Sequence, residues 1–324
     1  MDTSVRLRAR LIGRIAVLLL TVLAGAVAIV YYAGPSRTAA ASTAAARTAG
    51  RISRPRVTTM LAKTAPRLPK TAPRLAKSAP RPAGRRASAA PTHFRTLPPG
   101  AKLPSGAQCA RWVRATPSPE VRSSNKADNH HGGEHVGAGF LSGDGPRARK
   151  LTERIDGDFT GTTQEILRWA ACKWGIDQNM VFAQAAVESW WRQSTLGDFG
   201  TDASACPPGH GIGADGVPGE CPQSYGILQN RYPYEQQSWP GIGRSTAMNA
   251  DTAYAIWRAC YDGYETWLNT VPRGSQYHAG DSWGCIGRWF AGRWRTAPAD
   301  GYIHKVRQYM VEKIWLTPDF KHAS

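Results

Sequence analysis

The 324-residue chain predicts a mainly helical domain with a small sheet-and-loop region, carried behind an N-terminal membrane segment and a long disordered linker. Three observations lead there. Helical apolar periodicity with capping signals recurs beyond residue 160, strand signals are sparse, and everything before residue 105 lacks the composition of a packed core.

The chain opens with Arg6, Arg8, Arg10 and Arg14, followed by a charge-free run, IAVLLLTVLAGAVAIVYYA, at residues 15–33. That length spans a hydrocarbon core as a helix. The basic flank keeps its N-terminal side in the cytoplasm and sends the C-terminal part of the chain across the membrane. Residues 1–33 are thus expected to be a cytoplasmic stub and signal-anchor, giving a single-pass membrane protein with an extracytoplasmic C-terminal domain. The alternative is a signal peptide cleaved near Ala26 or Ala28, and secretion.

Residues 34–105 are expected to be a disordered tether rich in Ala, Pro and Arg. Copies of one heptapeptide, KTAPRLP, KTAPRLA and KSAPRPA, begin at Lys63, Lys70 and Lys77. The proline in each forbids a helix, so the segment reads as a semi-extended spacer. Residues 1–119 hold 21 lysines and arginines against one acid, Asp2, whereas residues 120–324 hold 20 against 22. The net charge of +18 therefore describes the tail and not the domain. Such a tail suits anionic membrane or wall polymers; export argues against nucleic acid.

All six cysteines, Cys109, Cys172, Cys206, Cys221, Cys260 and Cys285, lie beyond the tether. In an exported domain an even set reads as disulfides, in pairings the sequence does not choose. Cys206 and Cys221 flank a Gly- and Pro-rich loop and are expected to close it. Cys260 with Cys285 and Cys109 with Cys172 are the remaining pairs. A zinc site is the alternative, but no C-x-x-C occurs. NHHGGEH at 129–135 matches no metal-enzyme spacing and reads as a solvated loop, so no metal and no cofactor are expected.

Residues 105–150 read as an irregular strap. Thr162 to Glu165 has the form of a capping box, Gly175 is a stop, and Asp177 caps a second helix at 178–191. Val181, Gln184, Glu188 and Trp191 share one face of that helix at helical spacing. A lone carboxylate on such a face needs a partner or a task. A structural partner would be Arg192, four residues on. The stretch 194–243 has no helical period, and Ser224 to Gln229 is its best strand. Helices are expected again from Ser245, over 283–291, and over 299–315.

These segments resemble a known family. AVESW at 186–190 is similar to the A-x-E-S-x signature of the soluble lytic transglycosylase domain, in the goose-type lysozyme-like superfamily, and SYGILQ at 224–229 to the S-x-G-L-M-Q signature downstream of it. NADTAYA at 249–255, WFAG at 289–292 and YIHKV at 302–306 resemble later elements in the same order, over a core of residues 160–315. Tryptophan and phenylalanine stand at 289 and 290 where the family often has tyrosine and asparagine. The insertion between Glu188 and Gly226 is long.

The resemblance implies a lysozyme-like domain at 106–324 that cleaves peptidoglycan strands between N-acetylmuramic acid and N-acetylglucosamine. A single glutamate, here Glu188, would first act as acid and then as base, leaving a 1,6-anhydro product. Ser224 and Gln229 would bind sugar substituents and Tyr302 would line the cleft. Asn249 reads either as a sugar ligand or as a structural residue of its helix. Trp190, Trp191 and Trp289 are candidate stacking platforms, whereas Trp169, Trp174, Trp257 and Trp267 fall on core spacings. Two other classes remain open. A hydrolytic muramidase or chitinase-like enzyme would recruit Asp198, Asp202 or Asp215 as a second carboxylate. A non-catalytic wall-binding module would need no acid.

Overall fold

The computed structural model describes residues 92–322, which fall within one unit, Arg81–Ser324. The expected membrane segment and the repeats lie outside the described residues. Among those described, no helix is long and apolar enough to cross a membrane.

The described residues begin packed against the helices. Phe94 is buried beneath Arg168, whose guanidinium lies 4.9 Å from its ring. The Leu97 amide bonds the Gly175 carbonyl at 3.0 Å, and Arg258 donates to Pro98 O at 2.7 Å. Residues 93–105, assigned to the tether by composition, are thus a strand of coil clasped by the helices. One phenylalanine and a few backbone bonds hold it, which composition does not register.

The first helix, α1 (Gly106–Arg114), also departs from the irregular strap expected at 105–150. Ser105 and Gln108 form a reciprocal capping box, and Cys109, Ala110 and Val113 turn inward. After 3-10 turns and α2 (Pro146–Thr152), Thr162 and Glu165 cap α3 (Thr163–Trp174) in the box the sequence predicts, and Gly175 ends it at φ 61°. Asp177 caps α4 (Gln178–Ser189) through Asn179 N and Met180 N. This helix is shorter than the 178–191 expected, because Trp190 and Trp191 both adopt left-handed backbone, at φ 58° and 63°.

A three-stranded antiparallel sheet comes next. It comprises β1 (Leu196–Gly197), β2 (Ser224–Tyr225) and β3 (Asn230–Arg231), in the order β1-β2-β3. Leu196 pairs with Tyr225, and Tyr225 with Asn230. The strand expected over 224–229 is only two residues long, since Gly226 to Gln229 close a tight turn between β2 and β3. A short α5 (Gly241–Arg244) leads to α6 (Thr246–Tyr261), capped by Ser245. Then come α7 (Ser282–Ala291), α8 (Ala297–Glu312) and α9 (Pro318–His322).

The domain is therefore mainly helical with a small sheet. α3 packs between α1, α4 and α6, while α8 packs on α4 and α7. Three disulfides pin this arrangement: Cys109–Cys172 joins α1 to α3, Cys260–Cys285 joins α6 to α7, and Cys206–Cys221 closes the insertion. The histidine-rich stretch is a latch: Glu134 takes His131 at 3.1 Å and Arg244 at 2.6 Å. Among the described residues no group of three or more His, Cys, Asp or Glu converges on a metal-sized site.

Lys173 sits at the centre of a buried ionic knot. Lys173 is 1% exposed and bonds Asp251 and Asp156, each at 2.7 Å. Asp251, fully buried, also accepts from Trp174 Nε1 and from the amides of Asp156 and Gly157. Removing one partner strands a buried charge, which costs more than the pair contributes. Lys173→Met should therefore destabilise the domain by about 3 kcal/mol, read as a lower denaturant midpoint at unchanged slope.

Candidate active site

Glu188 is the last residue but one of α4, and the turn after β2 fixes where that end points. Ser189 Oγ donates to Ile227 O at 2.8 Å. The side-chain oxygen of Gln193 accepts from Ile227 N at 3.1 Å, and that of Asn249 accepts from Leu228 N at 3.0 Å. Asn249 Nδ2 also donates to Tyr225 O and Ile242 O, both at 2.8 Å. Gly226 is required here. It sits at φ 80°, and a Cβ on it would lie 2.2 Å from Asn249 Nδ2.

On the other side, α8 approaches α7 closely because Gly287 has no side chain: a Cβ there would meet Ile303 Cδ1 at 2.8 Å. This contact carries Tyr302 to Glu188, and the phenol donates a hydrogen bond to Glu188 Oε1. The indole N–H of Trp289 donates to Leu228 O at 3.2 Å and lies close enough to the carboxyl to favour its charged form. Two elements distant in sequence, α4 and the pair α7 and α8, thus meet at one carboxyl.

Glu188 keeps part of its side chain at the surface, yet protein surrounds it closely enough that burial dominates its ionisation. Burial pushes it up to about 8. The Tyr302 hydrogen bond and, more weakly, the nearby Trp289 N–H oppose this by favouring the carboxylate, whereas the negative charge of Asp198 adds to it. The outcome is an acid that holds its proton at neutral pH and has a donor ready for the anion it becomes. That suits protonation of a leaving oxygen. The structural pairing with Arg192 loses its basis, because the helix ends at Ser189 and the i,i+4 register does not extend to 192.

The structure gives the other expected residues different duties. Asn249 is fully buried, and its amide is occupied by three backbone groups, so it is a structural residue and not a sugar ligand. Ser224 is 1% exposed and donates to Asp198 at 2.5 Å. Gln229 Nε2 bonds Thr195 O and Gly226 O, knitting β1 to the turn. Both frame the site from within. Trp191 is fully buried and donates to Phe182 O at 2.9 Å, which removes it as a stacking platform. Trp190 packs against Tyr309 and Phe320. Trp169, Trp174 and Trp257 are core, and Trp267 is half-buried under Arg288.

Of the three loop carboxylates, Asp202 caps Ser204 and Asp215 takes His210 at 2.9 Å. Asp198 acts on Glu188. It is held in left-handed backbone at φ 49°, with Arg231 3.8 Å away and its side chain 56% exposed.

Sequence reasoning missed Gln193, which reads as an ordinary polar residue past a helix end. It also missed two buried acids beside Arg288. Glu235 is pushed up to about 8 and Glu265 to about 7, both by burial against the pull of that arginine. No sequence signal marks them. A cavity of about 500 Å³ lies by the opposite end of α4, lined by His93, Trp112, Gln178 and Phe182 among others, and has no acid on its wall.

No family model, curated protein or solved structure matches the chain.

The folded state holds a proton on Glu188 that the unfolded chain releases at about 4.5, so this group makes the fold less stable as pH rises from about 4.5 to about 8. Glu188→Gln removes that dependence. Its gain in melting temperature over the wild type should be smallest near pH 4.5, grow up to pH 8, and level off beyond. Thermal melts of both proteins across this range check it; a difference independent of pH would contradict the raised ionisation.

Proposed function

We propose that the domain is a peptidoglycan lytic transglycosylase that cleaves the β-1,4 bond between N-acetylmuramic acid and N-acetylglucosamine, with Glu188 as sole acid and base. The observation that carries this reading is a half-buried glutamate whose carboxyl accepts a hydrogen bond from Tyr302 and is pushed by burial up to about 8. The resemblance of AVESW, SYGILQ and YIHKV to the family's motifs supplies the substrate class. The basic tail and anchor expected from the sequence would hold the domain near anionic membrane or wall polymers.

The step balances with one carboxyl. Glu188 gives its proton to the glycosidic oxygen as the bond from C1 breaks. The resulting carboxylate, stabilised by the Tyr302 hydroxyl, takes the proton of the muramoyl 6-hydroxyl. That oxygen closes onto C1, so the leaving strand departs with a free hydroxyl and no water is consumed. Each cycle returns the proton to Glu188.

Asp198 favours a second reading, hydrolysis. It is exposed, fixed by Ser224 and close enough to act on Glu188. In an inverting glycosidase a second carboxylate activates water on the opposite face of the sugar.

Mass spectrometry of muropeptides released from purified peptidoglycan by the full-length chain separates the readings. Products about 18 Da lighter than hydrolysis products, lost with Glu188→Gln and retained with Asp198→Asn, are expected. Reducing-end products lost with both variants would establish the hydrolase. No release by the folded wild type would contradict both and favour a wall-binding module.

A further inference from the structure

Large apolar side chains scattered over a surface are ordinary. Among the described residues five stand exposed: Ile212, Tyr234, Phe290, Val311 and Leu316. Phe290 differs from the rest in its neighbour. Its ring lies parallel to that of Tyr302, with centroids 4.8 Å apart and planes 2° from coplanar. Tyr302 is itself 7% exposed and bonds Glu188, while Phe290 is 58% exposed. Phe290 is therefore one ring removed from the acid, with one face fixed on Tyr302 and the remainder in water.

Its orientation is set before any ligand arrives. It sits next to the end of α7, whose approach to α8 depends on Gly287, and the adjacent Trp289 is bonded to Leu228 O. A preorganised flat apolar surface beside a proton donor is what a pyranose ring needs. β-linked hexosamines carry their polar groups equatorially and present C–H bonds on the ring face, which pack on an aromatic plane while the polar edge stays hydrated.

We propose that Phe290 is a sugar-stacking platform. On this view it binds a β-linked N-acetylhexosamine next to the bond that Glu188 protonates and sets much of the affinity for the glycan. The inference rests on the reading of the domain as a glycan-cleaving enzyme. It gives a task to the phenylalanine that stands where the resembled family often has asparagine.

The test measures binding of soluble glycan strands, prepared from peptidoglycan, to the full-length chain made non-cutting by Glu188→Gln. High ionic strength keeps the basic N-terminal segment from contributing. Adding Phe290→Ala should weaken binding about tenfold, Phe290→Trp should restore it, and Phe290→Leu, apolar but not flat, should not. In the cutting enzyme, Phe290→Ala should raise KM and leave the pH profile of kcat in place. Unchanged affinity for Phe290→Ala would overturn the proposal. So would a lower kcat with a shifted pH profile at constant KM, since Phe290 would then merely hold Tyr302. Absence of binding by the Glu188→Gln parent would instead defeat the glycan-cleaving reading, and this inference with it.

Discussion

The clamp that two side-chain amides place on the turn after β2 governs the geometry of the site. Gln193 and Asn249 between them bond the backbone of Tyr225, Ile227 and Leu228. Those groups are buried, and each would cost on the order of 1–3 kcal/mol if left unpaired. The strands are only two residues long, too short to fix the turn by pairing alone. Ser189 then ties the end of α4 to the same turn. Glu188 and Leu228 O, the carbonyl that Trp289 also meets, are thereby held in one frame.

Burial and hydrogen bonding compete at Glu188, and burial wins. The Tyr302 phenol favours the carboxylate, yet its surroundings move it up to about 8. Glu235 and Glu265 show that raised acidity by itself does not make a site. Glu235 is pushed as far and Glu265 to about 7, but Glu265 is fully buried and lies 2.5 Å from Arg288. Glu188 differs in reaching the surface, in having a phenol donor, and in having an oriented aromatic face one ring away.

The frame of the domain was legible where it rests on local chemistry. The Thr162 capping box, the Gly175 stop, the Asp177 cap and the closed Cys206–Cys221 loop each depend on a few adjacent residues. The misses share a cause, which is that the deciding partner lies far along the chain. α1 was hidden because its apolar face is too short to show a period, although Cys172 waits across from Cys109. Asn249 stayed open between ligand and structural residue because motif order says nothing about which way an amide points; its partners lie at residues 225, 228 and 242. Trp191 looked accessible until the left-handed turn at the end of α4 folded it inward. The opposition of Tyr302 to Glu188 depends on a glycine, Gly287, whose value shows only in the packing of two helices.

The central claim is that this frame delivers a protonated carboxyl at neutral pH. Carbon-13 NMR of glutamate-labelled protein, titrated in the wild type and in Glu188→Gln, tests it most directly. Carboxyls titrating near 7 and 8 are predicted in the wild type, and the resonance lost in the variant should be one that titrates near 8. If the lost resonance instead titrates near 4.5, Glu188 is ionised at neutral pH, and the account of this site as a proton donor fails.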